Sequence, residues 1–258
     1  VGTVVVTIGN TGLGVVDPLP GILALREKFD FRIHADAAYG GYFGLTEELG
    51  SGTRAVFDVL GEVDSIVIDP HKHGLQPYGC GCVLFKDPSV GALYKHDSPY
   101  TYFSSGDLHL GEITLECSRP GASAVALWAT QRLLPPVPGG DFAIGLDACL
   151  RAARQFWQRL EAGTTFTPLM QPELDIVVYA VNASTTSESA QRARTVFEEA
   201  AKRHLHLALI ELPSDFVNKY APEITVNSDS VTCLRSVLMK PEQEDWIDRL
   251  IALLEASA

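Results

Sequence analysis

Basic residues are scarce in this 258-residue sequence. Its 20 lysines and arginines stand against 32 aspartates and glutamates, so the formal net charge is −12 at pH 7. Proteins that bind nucleic acid neutralise phosphates with clustered lysine and arginine, and no such basic stripe exists here. We therefore expect no nucleic-acid partner and a small-molecule substrate instead.

Long apolar runs are also lacking. No run reaches the roughly 18 to 20 residues that a membrane-spanning helix needs. The first residues, VGTVVVTIGN, carry no positive flank of the kind that precedes a signal peptide. From these two features we expect a cytoplasmic chain that has no membrane partner.

Cysteine is rare and scattered. The five cysteines are odd in number and have no CxxC spacing: Cys80, Cys82, Cys117, Cys149 and Cys233. This pattern argues against both a disulfide framework and a zinc site, so we expect no bound metal. The pair Cys80 and Cys82 could in principle bind a metal, but alternate residues on one packed face of a strand are the simpler interpretation.

Short β-branched runs alternate with helical patterns along the chain, which indicates βαβ units and a mostly parallel sheet. Residues 1–138 contain the strand patterns GTVVVTI, FRIHAD, DSIVID and GCVLFK and the helical patterns DPLPGILALREKF and PGASAVALWATQRLL. The breaker cluster PPVPGG follows. Residues 139–258 begin with a long amphipathic helix and continue with strands near ELDIVVYAV, HLALIEL and VTCLRSVLM. We predict a large domain and a smaller α/β domain that meet at this boundary.

The first of these domains is short for a doubly wound fold. Such a domain opens with a strand, a turn and a helix that form its ligand crevice. This chain begins directly with a strand and has about four strands before the breaker cluster. We therefore expect a further segment of the domain upstream.

Two charged side chains follow neighbouring strands of the first domain. Asp36 ends the strand FRIHAD and precedes two alanines, and Lys72 lies just beyond the strand DSIVID. The carboxyl ends of parallel strands meet in one crevice, where ligands of open α/β sheets bind. An acid, a lysine and a small residue suit pyridoxal phosphate, because the lysine forms a Schiff base while the carboxylate keeps the pyridine nitrogen protonated. Taken singly, Lys72 is also compatible with a solvated surface lysine and Asp36 with a turn cap.

Three motifs, HADAAYGG, DSIVIDPHKHG and SRPGASAVALW, resemble in order and spacing those of the pyridoxal-phosphate-dependent group II amino-acid decarboxylases. The form DPHKHGLQPYGCGCVLFKD is most similar to the tyrosine/aspartate decarboxylase branch. The resemblance implies a fold-type I α/β architecture, of which this chain supplies the C-terminal part of the large, mostly parallel-sheet domain and a small C-terminal α/β domain. It also implies a homodimer that decarboxylates an L-amino acid, aromatic such as tyrosine or acidic such as aspartate or glutamate, to the amine and carbon dioxide.

The resemblance assigns five residues to the cofactor. They are Lys72 as the Schiff-base lysine, Asp36 as the partner of the pyridine nitrogen, Ala38 against one ring face, His71 near the phosphate, and Thr11 of GNTGLG facing the cofactor. Thr11 is also compatible with an ordinary turn hydroxyl, and His71 with a packed polar residue. His73 has no matching role, and we expect it to be structural or exposed.

The stretch YKHDSPYTYFSSGDLHLG is polar, aromatic and aperiodic. It resembles the family's mobile loop, whose tyrosine protonates the substrate carbon after carbon dioxide leaves. Tyr100 in DSPYT takes that tyrosine's place, and Tyr102 is the competitor. A neutral phenol, with a pKa of about 10, can act as a general acid at neutral pH. The alternative is two aromatic residues that anchor a surface loop.

Arginines are the candidate ligands for the substrate carboxylate. Arg235 in VTCLRSVLMKP matches the family's arginine that holds the α-carboxylate, and a bidentate guanidinium suits that task. Arg119 in SRPG is a second basic candidate, for which a structural pairing at a helix start is the favoured interpretation.

The family's N-terminal segment has no counterpart in this sequence. That segment supplies the phosphate-binding helix start and the aromatic ring that stacks on the cofactor. We therefore expect the N-terminal half of the enzyme to be present as a separate chain. Two alternatives remain open: a carbon–carbon lyase of the sphingosine-phosphate lyase type, which shares the lysine and aspartate motifs, and a non-catalytic remnant that binds a partner chain through an exposed sheet edge.

Overall fold

The structure is a computed structural model that describes residues 1–95 and 121–258. Over this part of the chain the strands form two four-stranded sheets. The first sheet contains β1 (Thr3–Thr7), β2 (Arg32–Asp36), β3 (Ser65–Ile68) and β4 (Cys82–Phe85). The second contains β5 (Phe166–Pro168), β6 (Ile176–Val181), β7 (Ala208–Pro213) and β8 (Ser230–Val237). Among the described residues no helix has the length and apolarity to cross a membrane.

Seven α-helices are found in the described residues. They are α1 (Leu19–Ala24), α2 (Ser51–Asp58), α3 (Ala122–Leu133), α4 (Asp141–Glu161), α5 (Thr186–Lys202), α6 (Ser214–Asn218) and α7 (Ile247–Glu255). The strands and helices that periodicity predicts are confirmed, with α1 shorter than predicted because the chain tightens into a 3₁₀ turn at Leu25–Glu27. The short elements α2, β5 and α6 are not predicted, since eight residues or fewer carry little periodic signal.

The first sheet has the strand order β1-β2-β3-β4. The first three strands are parallel, and β4 runs antiparallel to β3 at the edge. The mostly parallel sheet is thus confirmed. The expectation that Cys80 and Cys82 share a strand face is wrong, because β4 begins only at Cys82 and Cys80 is buried in the preceding turn.

One face of the first sheet is packed and the other is open. Ile33 and Ala35 of β2 are fully buried on the packed face. On the opposite face, Val5 is 60% exposed, Val83 54% and Phe85 44%. The apolar side chains of the first sheet are therefore buried on only one of its two faces.

The second sheet is antiparallel, with the order β5-β6-β8-β7. All six residues of its central strand β6 are buried, as expected for a strand covered on both faces. One face packs against α4, α5 and α7, where Tyr179 meets Phe156 and Phe166 in edge-to-face contacts. The Thr185 side chain caps α5 by accepting a hydrogen bond from the backbone N–H of Glu188.

The other face of the second sheet packs against the first sheet and its neighbouring helices, so the two sheets share one apolar core. Leu174, just before β6, lies against Gly40, where a Cβ atom would stand 2.3 Å from the carbonyl oxygen of Ile8. Glycine is therefore required at position 40, since only hydrogen fits. This close approach sets the strand ends of the first sheet directly against the start of β6.

Candidate active site

The ends of β2 and β3 are joined by two backbone hydrogen bonds. Ala37 donates its N–H to the carbonyl of Val67 at 3.0 Å, and Asp69 donates to the carbonyl of Ala38 at 3.2 Å. Asp36 ends β2, and the turn that carries Lys72 starts at Asp69. The acid and the lysine thus lie at the carboxyl ends of adjacent parallel strands, as the sequence predicts.

A tight turn holds Lys72. Its backbone N–H donates to the carbonyl of Asp69 at 2.9 Å, and Gln76 donates to the carbonyl of Pro70 at 3.1 Å. At Gly74 a Cβ atom would lie 2.7 Å from that Pro70 oxygen, so no larger residue fits. The Lys72 side chain, 29% exposed, places Nζ 3.1 Å from Asp69 Oδ2. Sequence reasoning missed Asp69, although its spacing of three residues from the lysine is the signal that could have indicated the pair.

Asp36 is half-buried and faces the open side of the first sheet. In the sheet register it stands beside Thr7 of β1 and Val67 of β3. One carboxylate oxygen, Oδ1, accepts a hydrogen bond from the backbone N–H of Ala38 at 3.2 Å. Ala38 is also half-buried, so a small side chain lies directly beside the acid.

His71 reaches the same carboxylate as the lysine. Its Nδ1 lies 2.9 Å from the carbonyl of Cys80 and donates to it, since a carbonyl only accepts. The opposite nitrogen, Nε2, is 3.5 Å from Asp69 Oδ2. The ring lies 4.8 Å from that of Tyr78. Asp69 therefore has both Lys72 and His71 as neighbours.

Thr11 and Arg235 are brought together from opposite ends of the chain. Thr11 is exposed in a turn closed by Asn10, whose Oδ1 accepts from the backbone N–H of Leu13 at 2.7 Å. Arg235 Nε donates to the carbonyl of Gly12 in this turn at 3.1 Å. The predicted cofactor-facing turn and the predicted carboxylate-binding arginine are thus neighbours. Tyr100, Tyr102 and Arg119 lie outside the described residues.

His73 is buried rather than exposed, so the exposed alternative for it was wrong. Its side chain is 1% exposed, and Nε2 lies 2.7 Å from Asp175 Oδ2 while Nδ1 lies 3.2 Å from the carbonyl of Tyr39. The Tyr39 hydroxyl donates to Asp175 Oδ1 at 2.5 Å. Burial, reinforced by the Asp175 charge, raises the pKa of Tyr39 far above its usual range. Sequence reasoning missed Tyr39 and Asp175, because an aspartate in a strand pattern 102 residues away gives no local signal.

Solved structures define the class of fold. The chain matches Oryza sativa TDC with PLP and tryptamine at a TM-score of 0.79 and 19% identity, over 99% of this chain and 50% of that one. It matches mouse CSAD at a TM-score of 0.77 and 20% identity, over 99% of this chain and 52% of that one. The architecture is therefore that of the fold-type I pyridoxal-phosphate-dependent decarboxylases, as the motifs imply.

The family follows from the sequence comparisons. The pyridoxal-dependent decarboxylase conserved domain matches residues 1–182, and the chain belongs to this family. It is 32% identical over 222 residues to an L-tyrosine decarboxylase of Enterococcus faecium, covering 67% of this chain and 35% of the relative. It is 30% identical over 190 residues to a probable L-tyrosine/L-aspartate decarboxylase of Methanothermobacter thermautotrophicus, covering 73% and 50%. The chain thus spans half the length or less of these relatives.

The residues at the strand ends fit the cofactor of this family, pyridoxal phosphate. A half-buried carboxylate on the open side of the sheet, a half-buried primary amine and an alanine lie at the ends of adjacent strands. These are the groups that a pyridinium nitrogen, an aldehyde and a flat ring require. Pyridoxal phosphate supplies, when bound, a sink for the electron pair that a departing carboxylate leaves behind.

Proposed function

We propose that this chain is the lysine-bearing half of a pyridoxal-phosphate-dependent L-amino-acid decarboxylase that acts on an aromatic substrate such as tyrosine or an acidic one such as aspartate. One observation carries the proposal. Asp36 and the turn that carries Lys72 stand at adjacent strand ends joined by the Ala37 and Asp69 hydrogen bonds. A surface lysine and a turn-capping aspartate would not need this shared, half-buried position.

Each residue at the strand ends has a physical task in this proposal. The Asp36 carboxylate would hold a proton on the pyridine nitrogen, and Ala38 would leave room for the ring. Lys72 Nζ is the amine that would hold the aldehyde carbon, and Asp69 lies 3.1 Å from that amine. His71 is fixed by its bond to the Cys80 carbonyl, so Nε2, which lies 3.5 Å from Asp69 Oδ2, is the ring nitrogen assigned to the cofactor phosphate.

The substrate carboxylate is assigned to Arg235. Its Nε bond to the Gly12 carbonyl fixes the guanidinium plane beside the turn that carries Thr11. The terminal N–H groups of a guanidinium so oriented can bind a carboxylate in the bidentate manner. Thr11, exposed in the same turn, is assigned to the cofactor and would face it.

The N-terminal half that the longer relatives contain is assigned to the open face of the first sheet, and the complete enzyme to a homodimer. The open face of the first sheet supports this assignment, because Val5, Val83 and Phe85 expose apolar surface on the side where Asp36 lies. The division of this chain into residues 1–138 and 139–258 belongs to the same proposal.

The test uses the chain combined with the polypeptide that carries the N-terminal half. Lys72→Ala should abolish release of amine and carbon dioxide from tyrosine, aspartate and glutamate. The control is Lys86→Ala, at an exposed lysine just past β4, which should leave release unchanged. Borohydride reduction in the presence of pyridoxal phosphate should attach the cofactor to Lys72, as mass spectrometry of peptides reads out. Trapping on other lysines only, or full turnover by Lys72→Ala, contradicts the proposal. Absence of any trapping and turnover identifies a non-catalytic remnant.

The proton that replaces carbon dioxide is assigned to the phenol oxygen of Tyr100. Tyr100→Phe should still consume substrate and release carbon dioxide, because neither step needs the hydroxyl, but its amine yield should fall much further. Amine and carbon dioxide per turnover are compared for Tyr100→Phe and Tyr102→Phe. Equal yields at a normal rate for Tyr100→Phe, together with unequal yields for Tyr102→Phe, move the assignment to Tyr102. Wild-type behaviour of both variants shows that neither tyrosine supplies the proton.

A further inference from the structure

The cluster formed by Tyr39, His73 and Asp175 lies immediately behind the lysine turn. We infer that His73 and Asp175 are positioning residues, which fix the Lys72 turn to the second sheet and thereby set the spacing between Lys72 and Arg235. The inference rests on the proposed function, because it concerns the two residues that would hold cofactor and substrate.

The contacts of His73 are strong and fully enclosed. The His73 and Asp175 side chains are 1% and 0% exposed, and 2.7 Å separates Nε2 from Oδ2. The ring also packs edge-on against Tyr39 and Phe43, at centroid distances of 4.8 and 4.6 Å. Removing one partner of such a pair leaves a buried polar group unpaired, which is far more disruptive than losing a surface pair.

The hydrogen-bond partners of the cluster indicate which of its atoms carry hydrogen. Nδ1 faces the carbonyl of Tyr39, which only accepts, so Nδ1 carries a hydrogen. Nε2 faces a carboxylate oxygen at 2.7 Å, so a second hydrogen lies between Nε2 and Asp175 Oδ2. The Tyr39 hydroxyl donates to Oδ1. The pair therefore shares one hydrogen more than a neutral imidazole and a carboxylate would hold, and every oxygen and nitrogen of the cluster is matched.

His73 is close to Lys72 in the chain, and Asp175 is close to the strand pair that carries Arg235. His73 directly follows Lys72 within the turn that Gly74 keeps closed. Asp175 directly precedes β6, and its carbonyl accepts from the backbone N–H of Leu238 just past β8. In the register of β6 and β8, Val178 pairs with Arg235. The His73–Asp175 contact therefore links the lysine turn to the strand pair that carries the arginine.

The experiment measures the amine of Lys72 in the 258-residue chain. Trace acetylation with acetic anhydride, read by mass spectrometry, gives the reactivity of Lys72 relative to the exposed Lys202 in the same sample. In His73→Gln and in Asp175→Asn this ratio should change by roughly threefold to tenfold, and the double variant should change it no further, since the two residues act as one unit. The control is His206→Gln, a matched change at an exposed histidine, which should leave the ratio unchanged.

If the variants do not fold, hydrogen exchange in the unmodified chain tests the inference instead. Both ring N–H hydrogens of His73 should be visible by NMR and exchange slowly with solvent. The backbone N–H of Lys72 should exchange with the same opening free energy, because one event releases both. A Lys72 amide that exchanges much faster than the His73 ring hydrogens shows an independent turn and overturns the inference, as does an unchanged acetylation ratio in folded variants. None of these readouts needs pyridoxal phosphate or turnover, so they fail or succeed separately from the proposed function.

Discussion

The two sheets of this protein are built from similar β-branched sequences but differ in how completely they are covered. In the second sheet all of β6 is buried, with helices on one side and the first sheet with its helices on the other. In the first sheet one face is packed, while β4 at the edge exposes Val83, Leu84 and Phe85. Apolar surface of this kind marks an interaction site when it is contiguous.

Under the proposed function, the covered sheet stabilises this chain and the open face of the first sheet contacts the N-terminal half. The core of the second sheet is buried by the described residues themselves. The first sheet presents Asp36 on the side that is still open, so the acid and the uncovered apolar surface lie on the same face. Variants in the two sheets should therefore produce different kinds of loss.

The largest effect is expected in the covered sheet. Tyr179→Ala removes a fully buried ring that packs against Phe156 and Phe166, and it also leaves Ser236 without its 3.0 Å partner. The free energy of unfolding should fall by about 3–5 kcal/mol, measured by urea denaturation. The matched change in the open sheet, Phe85→Ala, should cost less than about 0.5 kcal/mol in this chain. Equal losses in the two variants would remove the distinction between the sheets.

A smaller effect is expected where the two sheets meet. Gly40→Ala places a methyl group 2.3 Å from the Ile8 carbonyl oxygen and 3.1 Å from Leu174, so the junction must shift. We expect a loss of about 1–3 kcal/mol in unfolding free energy. The control is Gly52→Ala in α2, where nothing lies within 4 Å of the new Cβ and alanine favours the helix. A neutral Gly40→Ala would show that the junction tolerates separation.

Alkaline pH should weaken the covered sheet through a buried thiol. Burial raises the pKa of Cys233 on β8 from 9.0 to about 12. Because the folded-state pKa is raised, the stabilisation is complete below pH 9 and is lost as pH rises from 9 toward 12. This residue alone should reduce the unfolding free energy by about 1 to 2 kcal/mol at pH 10. Denaturation curves from pH 8 to about 10.5 should show a shallower decline for Cys233→Ala, and an unchanged slope would contradict the assignment.

The smallest effect on stability and the sharpest effect on assembly should come from the open edge. Val83→Asp introduces a charge on β4 at a side chain that is already 54% exposed, so the unfolding free energy of this chain should change by less than about 0.5 kcal/mol. Association with the N-terminal half, measured by analytical ultracentrifugation, should be lost because the charge would be buried unpaired. Lys86→Gln, on an exposed side chain nearby, is the control, because it also lowers the net charge by one. Retained association in Val83→Asp would mean that the partner binds elsewhere.

The sequence by itself determined the order of the major strands and helices, the family, and the position of Asp36 and the Lys72 turn at the ends of adjacent strands. These rest on local signals, since hydrophobic periodicity defines an element and parallel strands end at one edge of a sheet. The Asp69–Lys72 contact was also within reach of the sequence, because it spans a single turn. Tertiary structure alone decided that β4 runs antiparallel and is covered on one face only. It also decided that Arg235 bonds to Gly12 in the Thr11 turn, 223 residues away in sequence, and that His73 is buried against Asp175. A side chain's distant partner leaves no mark on the residues around it, and only the packing of the two sheets brings such partners within hydrogen-bond distance.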